Sequence, residues 1–411
     1  MSNKPTAVDT ARWLLAGVMV ALLVSPPVTV LLEFALYALM LGSGDLRARL
    51  VRAARQPLGV MALVFWLALG LGLAYSVAPW QEGVAIWAAW RRLLLLVFAL
   101  ALFDDPAWKQ RLAWILIVVA TVGALGSYAS WLAGVGLRYY PVGTVFRNYA
   151  TQGMIFAVAA FAAVLMFKEE LPKSQRAFLV GAAVLLLVNI VFVNPSRSAH
   201  GALLVLGAAL AWGWAGGRAP LRRLAWVGAA GLLGVAALAS SPTARHRIEL
   251  GITEMRNYQE GTQVSSMGER IVYWRNALAL AKERPLFGYG TGGFAAAYAV
   301  EVQGRTGREG IKAEDPHNMY LYIIVQIGLA GLAVFLVLLA SALRHAVAPP
   351  WRLLGLGALA AWCATSLFNG HFATFAEGRF IWLWLGACLA LPDFRLPEVS
   401  REGALPREHH A

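Results

Sequence analysis

Twelve apolar runs, most of them separated by only a few polar residues, dictate what this chain can fold into. They fall at about 13–24, 28–41, 58–78, 84–103, 112–136, 150–167, 177–194, 199–215, 224–240, 318–343, 353–369 and 379–391. Several approach the roughly 20 residues that cross a hydrocarbon core ~30 Å thick. Inside lipid every backbone polar group must be satisfied within the protein, and a helix does this segment by segment. The expected fold is therefore all-α and polytopic, with about twelve transmembrane helices. The first pair of runs is short, and Pro26-Pro27 between them reads as a hairpin or a kink. No small-residue cleavage site follows the first run, so it is expected to be retained as a span.

Composition excludes most other classes. A chain of 411 residues that is 59% hydrophobic and 14% charged is too apolar for a soluble globular protein. Its formal charge of +13 is dispersed between the apolar runs rather than gathered in a basic tract with interleaved aromatics. That distribution speaks against nucleic acid and for topology signals. Alternate short segments carry 19 of the 35 Lys and Arg residues, among them Arg12, Arg49, Lys109, Arg222 and Arg344. The opposite short segments carry four: Arg138, Arg147, Arg197 and Arg379. The positive-inside rule then predicts both termini in the cytoplasm. Cys363 and Cys388 lie inside apolar runs and are expected to be buried thiols.

The organisation that follows has nine helices in residues 1–240, an outer loop over 241–316, three helices in 317–392 and a cytoplasmic tail at 393–411. The outer loop is the one long polar stretch, and long loops are exempt from the charge rule. Within it, Ser266 and Glu269 have capping-box spacing, and Ile271, Trp274, Leu278 and Ala281 follow at helical intervals. Lys282 and Arg284 before Pro285 are stop signals, so 267–284 is expected to be an amphipathic helix. The run Gly288 to Gly293 lacks the ending of a phosphate-binding loop and follows no strand, so it reads as a flexible turn.

Candidate site residues cluster toward the same side. Trp80, Trp87 and Trp90 resemble an interfacial belt, and Arg91 and Arg92 follow them. Two readings stand for this pair: snorkelling to the outer interface, or facing a cavity at membrane depth, where ionisable groups mark substrate paths. Arg197 sits in the tight turn Asn194-Pro195-Ser196-Arg197-Ser198-Ala199-His200, against the charge bias, and the polar clustering there favours an anion site. Arg270 falls in the first turn of the loop helix. Asp315 is a plausible N-cap, with Pro316 at the first helical position and His317 and Asn318 in the first turn of a membrane helix. His200 and His371 are weaker candidates, and His409 and His410 belong to the tail. With no Asp-x-Asp pair, and with Asp104-Asp105 on the opposite side, no metal or other cofactor is expected.

With these residues in place, the chain resembles the O-antigen ligase and polymerase superfamily of bacterial envelope glycosyltransferases. Three stretches carry the likeness. One is Asn194-Pro195-Ser196-Arg197-Ser198. The second is Gly268-Glu269-Arg270 with Tyr273-Trp274 and then Arg284-Pro285-Leu286-Phe287-Gly288-Tyr289-Gly290. The third is Pro316-His317-Asn318-Met319-Tyr320-Leu321 with Gly328-Leu329-Ala330-Gly331-Leu332. A further stretch, Gly143-Thr144-Val145-Phe146-Arg147-Asn148, departs from the family pattern, since Arg147 stands where the family has Pro.

The resemblance implies a fold of the membrane-embedded GT-C type in the bacterial inner membrane, with the loop in the periplasm. It implies transfer of a polysaccharide from undecaprenyl pyrophosphate to a sugar hydroxyl of lipid A-core, with His317 as general base and Arg197 and Arg270 clamping pyrophosphate. Arg91, Arg92, Arg147, Asn148, Asn318 and His371 complete the expected substrate contacts. An O-antigen polymerase and a protein O-oligosaccharyltransferase share the superfamily's look. A lipid-linked glycan transporter is the reading from another class; against it, the two halves show no internal repeat and the one elaborated region is a loop ending in His317.

Overall fold

The computed structural model describes residues 6–136, 140–259 and 266–392, and every regular element among them is helical. The tail histidines, Arg138 and the side chain of Ser266 lie outside what is described. In chain order the helices are α1 (Ala7–Val24), α2 (Pro26–Gly42), α3 (Gly44–Ala54), α4 (Pro57–Leu71), α5 (Trp80–Ala89), α6 (Leu93–Leu102), α7 (Pro106–Ala133), α8 (Tyr149–Met166) and α9 (Lys173–Val188). They continue with α10 (Arg197–Trp214), α11 (Pro220–Ser240), α12 (Pro242–Gln259), α13 (Ser266–Glu283), α14 (Gly293–Glu301), α15 (Met319–Ser341), α16 (Trp351–Thr365) and α17 (Phe375–Leu389).

Each of the twelve apolar runs is met by helix. Eight of the resulting segments are long and apolar enough to cross a membrane, or nine if α2 and α3, bent by 100° at Ser43, form one broken span. Among the rest, α16 and α17 have only 15 residues each, and α10 opens on Arg197 and reaches His200 within its first turn. The central packing unit joins α6, α16 and α17. α17 is buried from Ala376 onward, including Trp382, Trp384 and Phe380. The periphery is different: α11 exposes Leu221, Leu224, Trp226, Leu232 and Leu233, as a helix facing lipid would. Of the three tryptophans expected in a belt only Trp80 faces outward. Trp87 stacks on Trp66 at 4.6 Å and Trp90 packs edge-on to Phe65 in the core.

At one end of the bundle the short basic segments meet. Arg12 and Arg49 both hold Asp104 at 2.7 Å, and Lys109 donates to the carbonyls of Cys388 and Ala390 that end α17. Cys388 is buried as expected, while Cys363 is only half-buried; both are free thiols.

The opposite end carries α12, α13 and α14, and here one expectation fails. Residues 242–259 form a helix that no strong apolar period announced. On α13 the buried face is Val272, Tyr273, Asn276, Ala277 and Leu280, one position round from the expected stripe, and Leu278 is 48% exposed. Partner geometry decides this rotation. Asn276 donates to the Tyr298 hydroxyl of α14 at 2.9 Å, and Tyr273 packs edge-on to the same ring.

The glycine-rich run is not a flexible turn. α15 is broken at Ile327 and Gly328, which leaves carbonyls and amides of the helix without partners in their own segment. Tyr289 and Gly290 donate their N–H groups to Val325 and Gln326, while Leu329 and Ala330 donate to Pro285 and Leu286, so residues 285–290 stitch the break. Irregular backbone at membrane depth is tolerated where protein satisfies it in this way. Gly328 has φ +68° and ψ −171°, a region open essentially to glycine, and a Cβ there would lie 2.0 Å from the Leu286 carbonyl oxygen. Gly328→Ala is expected to lower stability by at least ~1–3 kcal/mol from backbone strain alone. A thermal midpoint in detergent equal to that of wild type would show that the break is not stitched as described.

Candidate functional site

The site is built where the turn after α9 meets α12. The end of α9 widens into a π-turn over Asn189–Val193, and Asn194 then fixes the chain by accepting from the Ser196 N–H and donating to the Tyr149 carbonyl. Ser196 caps α10 by accepting from the Ala199 N–H, so Arg197 is the first residue of that helix. His200 is spent locally: its Nε2 lies 3.1 Å from the Ile190 carbonyl oxygen. Of the polar cluster in this turn, then, Asn194 and His200 hold the backbone, and Arg197 and Ser198 are left to line the site.

α12 lies across that turn. The Ser241 and Thr243 hydroxyls donate to the Val191 and Phe192 carbonyls, and Arg247 Nε donates to the Pro195 carbonyl. Arg197 answers by donating to the Arg247 carbonyl at 3.0 Å, and its Nη2 lies 3.7 Å from Glu254. The approach is close at Gly251, where a Cβ would sit 3.0 Å from Arg197 Nη2.

Two concavities meet at these arginines. One, of about 530 Å³, is polar and runs from Arg147 and Thr151 to His371, Thr374 and Glu377. The other, of about 600 Å³, is an apolar groove between α10, α12 and α16, walled by Leu204, Val205, Ile248, Ile252, Leu367 and Phe368. Arg197, Ser198, Arg247 and Arg270 line both. Burial, then the neighbouring positive charge of Arg197, lower the pKa of Arg270, with Tyr149, Glu254 and Asp315 opposing. Two guanidiniums held this close favour an anion between them.

The loop before α17 forms the far wall. His371 is 2% exposed, its Nε2 lies 3.1 Å from the Ser198 hydroxyl, and its Nδ1 has no hydrogen-bond partner among the described residues. Burial lowers its pKa, with Arg270 acting in the same direction and Glu377 against, so His371 is neutral near pH 7. Arg147 lies over the Phe375 ring at 4.9 Å and Arg379 over the same ring at 4.1 Å.

Arg91 and Arg92 line neither concavity. Arg92 is buried and donates to the carbonyls of Ala89, Ala373 and Thr374, which fastens the His371 loop to the end of α5. Arg91 lies 3.9 Å from Glu33, and Arg379 binds that same carboxylate at 2.5 Å. Glu33 and Arg379 are both buried, so the pair holds α2 against α17 behind the cavity. Glu33→Ala would strand the Arg379 guanidinium in the core, a loss of about 3–5 kcal/mol. The expected result is a lower thermal midpoint and loss of monodisperse protein in detergent; wild-type behaviour would mean that the pair is not structurally important.

His317 stands at the rim and lines neither concavity. The helix cap is shifted from the expected position, because Asn318 and not Asp315 is the N-cap of α15. The Asn318 amide oxygen accepts from the Tyr320 and Leu321 N–H groups and its amide nitrogen donates to the Leu367 carbonyl. Asp315 instead accepts the His317 N–H at 2.7 Å, which turns the chain and leaves His317 outside the helix at φ +50°. Its Nδ1 lies 3.3 Å from Asp315 Oδ1, and its side chain is 41% exposed. Next to it Trp274 donates to the Pro316 carbonyl and packs on Phe368 of the apolar groove.

Arg147 repeats this local geometry. It has φ +39°, and it precedes Asn148, whose side chain caps α8 by accepting from Ala150 and Thr151. His317 and Arg147 are the two non-glycine residues at positive φ among those described, and strained backbone of this kind gathers at functional positions.

Among the cavity residues not anticipated from sequence are Arg247, Thr151 and Glu377. A signal existed for the first, since Arg247, Ile248, Gly251 and Ile252 share one face of a helix at spacings of four. For Thr151 and Glu377, embedded in apolar runs, position became meaningful only once α8 and α17 were side by side.

None of the curated proteins matches the chain. Residues 181–336, from within α9 to within α15, match the family model described as O-Antigen ligase. That segment contains Arg197, Arg247, Arg270 and His317, and over it the chain is similar to the O-antigen ligase family.

Proposed function

We propose that the protein is an O-antigen ligase of the bacterial inner membrane. It transfers a glycan from undecaprenyl pyrophosphate to a sugar hydroxyl of lipid A-core at the periplasmic face, within a GT-C-like membrane domain of about twelve spans whose termini are cytoplasmic. The observation that carries this reading is the meeting of the apolar groove and the polar cavity at Arg197, Arg247 and Arg270. A polyprenyl chain suits the first, a pyrophosphate the arginines, and a sugar the second. Arg forks match phosphate oxygens in pairs.

The acceptor hydroxyl oxygen attacks the anomeric carbon, the bond from that carbon to the phosphate oxygen breaks, and undecaprenyl pyrophosphate leaves with the electron pair. Attack from the face opposite the leaving group inverts the anomeric centre. Arg197 and Arg270 hold the negative charge that grows on the leaving phosphate. His317 takes the hydroxyl proton. With Nδ1 beside Asp315, Nε2 is the nitrogen left for that role, and the carboxylate orients the ring. Arg147, Asn148 and His371 contact substrate from the cavity wall, while Arg91, Arg92 and Asn318 position the segments that do so. A pyrophosphate ester is already a competent leaving group, so the arginines suffice and no metal or other cofactor takes part.

Purified protein supplied with undecaprenyl-pyrophosphate glycan and lipid A-core is expected to yield glycosylated lipid A-core, with or without EDTA. A lengthened donor with untouched lipid A-core would make the protein a polymerase. Donor moved across a bilayer with no covalent product would make it a transporter.

A further inference from the structure

The polar cavity continues past the arginines, and what lines it there is not suited to phosphate. Glu377 is 5% exposed and lies in the first turn of α17, where the helix N-terminus favours a negative charge. Its Oε1 accepts from the Thr151 hydroxyl at 2.7 Å, and Oε2 receives no hydrogen bond from the described residues. No cation stands within ion-pair distance of it among those residues, although four arginines line the same cavity. That oxygen is not among the buried polar atoms left without a partner, so it faces the cavity, where a ligand hydroxyl can donate to it. Beside it are His371, neutral and with Nδ1 unpartnered, and the Thr374 side chain. This is a set of acceptors and neutral donors, the kind that reads sugar hydroxyls, and its negative member repels phosphate.

Order along the site assigns the occupant. Lipid, pyrophosphate and sugar are joined in that sequence in the donor, and groove, arginine junction and carboxylate-lined cavity follow in the same sequence in the protein. We infer that Glu377 and His371 form a subsite for the first sugar of the donor, the ring bonded to the pyrophosphate, and bind its hydroxyl groups. The inference rests on the proposed donor. Because Glu377 is anionic, the subsite accepts a neutral sugar and disfavours one bearing a carboxylate close to the pyrophosphate.

The test is equilibrium binding to purified protein of two probes, undecaprenyl pyrophosphate and undecaprenyl pyrophosphate carrying a single neutral sugar. Wild type is expected to bind the second more tightly. Glu377→Gln should lose about 10- to 100-fold in affinity for the sugar-bearing probe, the worth of one hydrogen bond to a charged group. Affinity for the sugar-free probe should be unchanged, which also reports that the variant is folded. Where Glu377→Gln does not extract as folded protein, His371→Asn carries the same comparison. Equal losses for both probes would overturn the subsite, as would no loss for either. An unchanged donor affinity with a raised KM for lipid A-core would assign the pocket to the acceptor instead. If wild type binds neither probe, the donor itself has been misassigned.

Discussion

Arg270→Ala is expected to reduce glycan transfer by about 100- to 1,000-fold, the usual result of removing one preorganised donor from a developing oxyanion. The guanidinium projects half-buried from α13 at the junction of groove and cavity, and its charge is disfavoured there by burial and by Arg197. A pair of cations kept at such cost is explained by an anion that binds both. Arg197→Ala should behave alike, and the double variant should lose less than the product of the two, because both contact the same group. Arg270→Lys is expected to recover little, since an ammonium lacks the fork that grips two phosphate oxygens. The check is single-turnover transfer at saturating donor, with thermal midpoints showing that each variant is folded. Near-normal rates in Arg270→Ala would remove it from the clamp.

His317→Ala is expected to slow transfer by about 100- to 10,000-fold while leaving affinity for undecaprenyl pyrophosphate within about twofold of wild type, because a general base acts on the acceptor and not on the donor. The geometry makes the split sharp. His317 lines neither concavity, stands outside α15 at φ +50°, and has Asp315 at its Nδ1. Asp315→Asn should produce a smaller loss, since the ring keeps its place and loses only the group that sets its tautomer. A His317→Ala variant that also bound donor ten times more weakly would assign the residue to the pyrophosphate, and one with full activity would assign the base elsewhere.

These expectations divide along the same line as the structure. Helices were legible because their cause is local. An unbroken apolar run in a chain of this composition leaves helix as its way to satisfy the backbone, and the twelve runs are all helical. Arg197 and Arg270 were legible because a charge in a short apolar-flanked turn or at the start of an amphipathic helix is expensive and local context exposes it. His317 was singled out for its place in the first turn of an apolar helix, although its cap was misplaced. Both Asp315 and Asn318 are capping residues, and the choice fell to Asn318 because its amide also reaches the Leu367 carbonyl of a segment far along the chain.

What the sequence by itself determined was the set of helices and the polar stretch that interrupts them, and it named as candidates Arg147, Asn148, Arg197, Arg270 and His371, which the structure brings to one cavity. Only the tertiary structure decided which charges serve the site and which hold it together. Arg92 reads the same as Arg197 in one dimension, yet it is consumed by carbonyls at Ala373 and Thr374, and Arg379 by Glu33. Likewise Gly328, quoted in the sequence only as part of a family-like stretch, proved to be the place where residues 285–290 enter a broken helix. The physical reason is that a buried polar group is defined by its partner, and partners here come from helices far apart in the chain. Their pairing follows from packing, which no local pattern records.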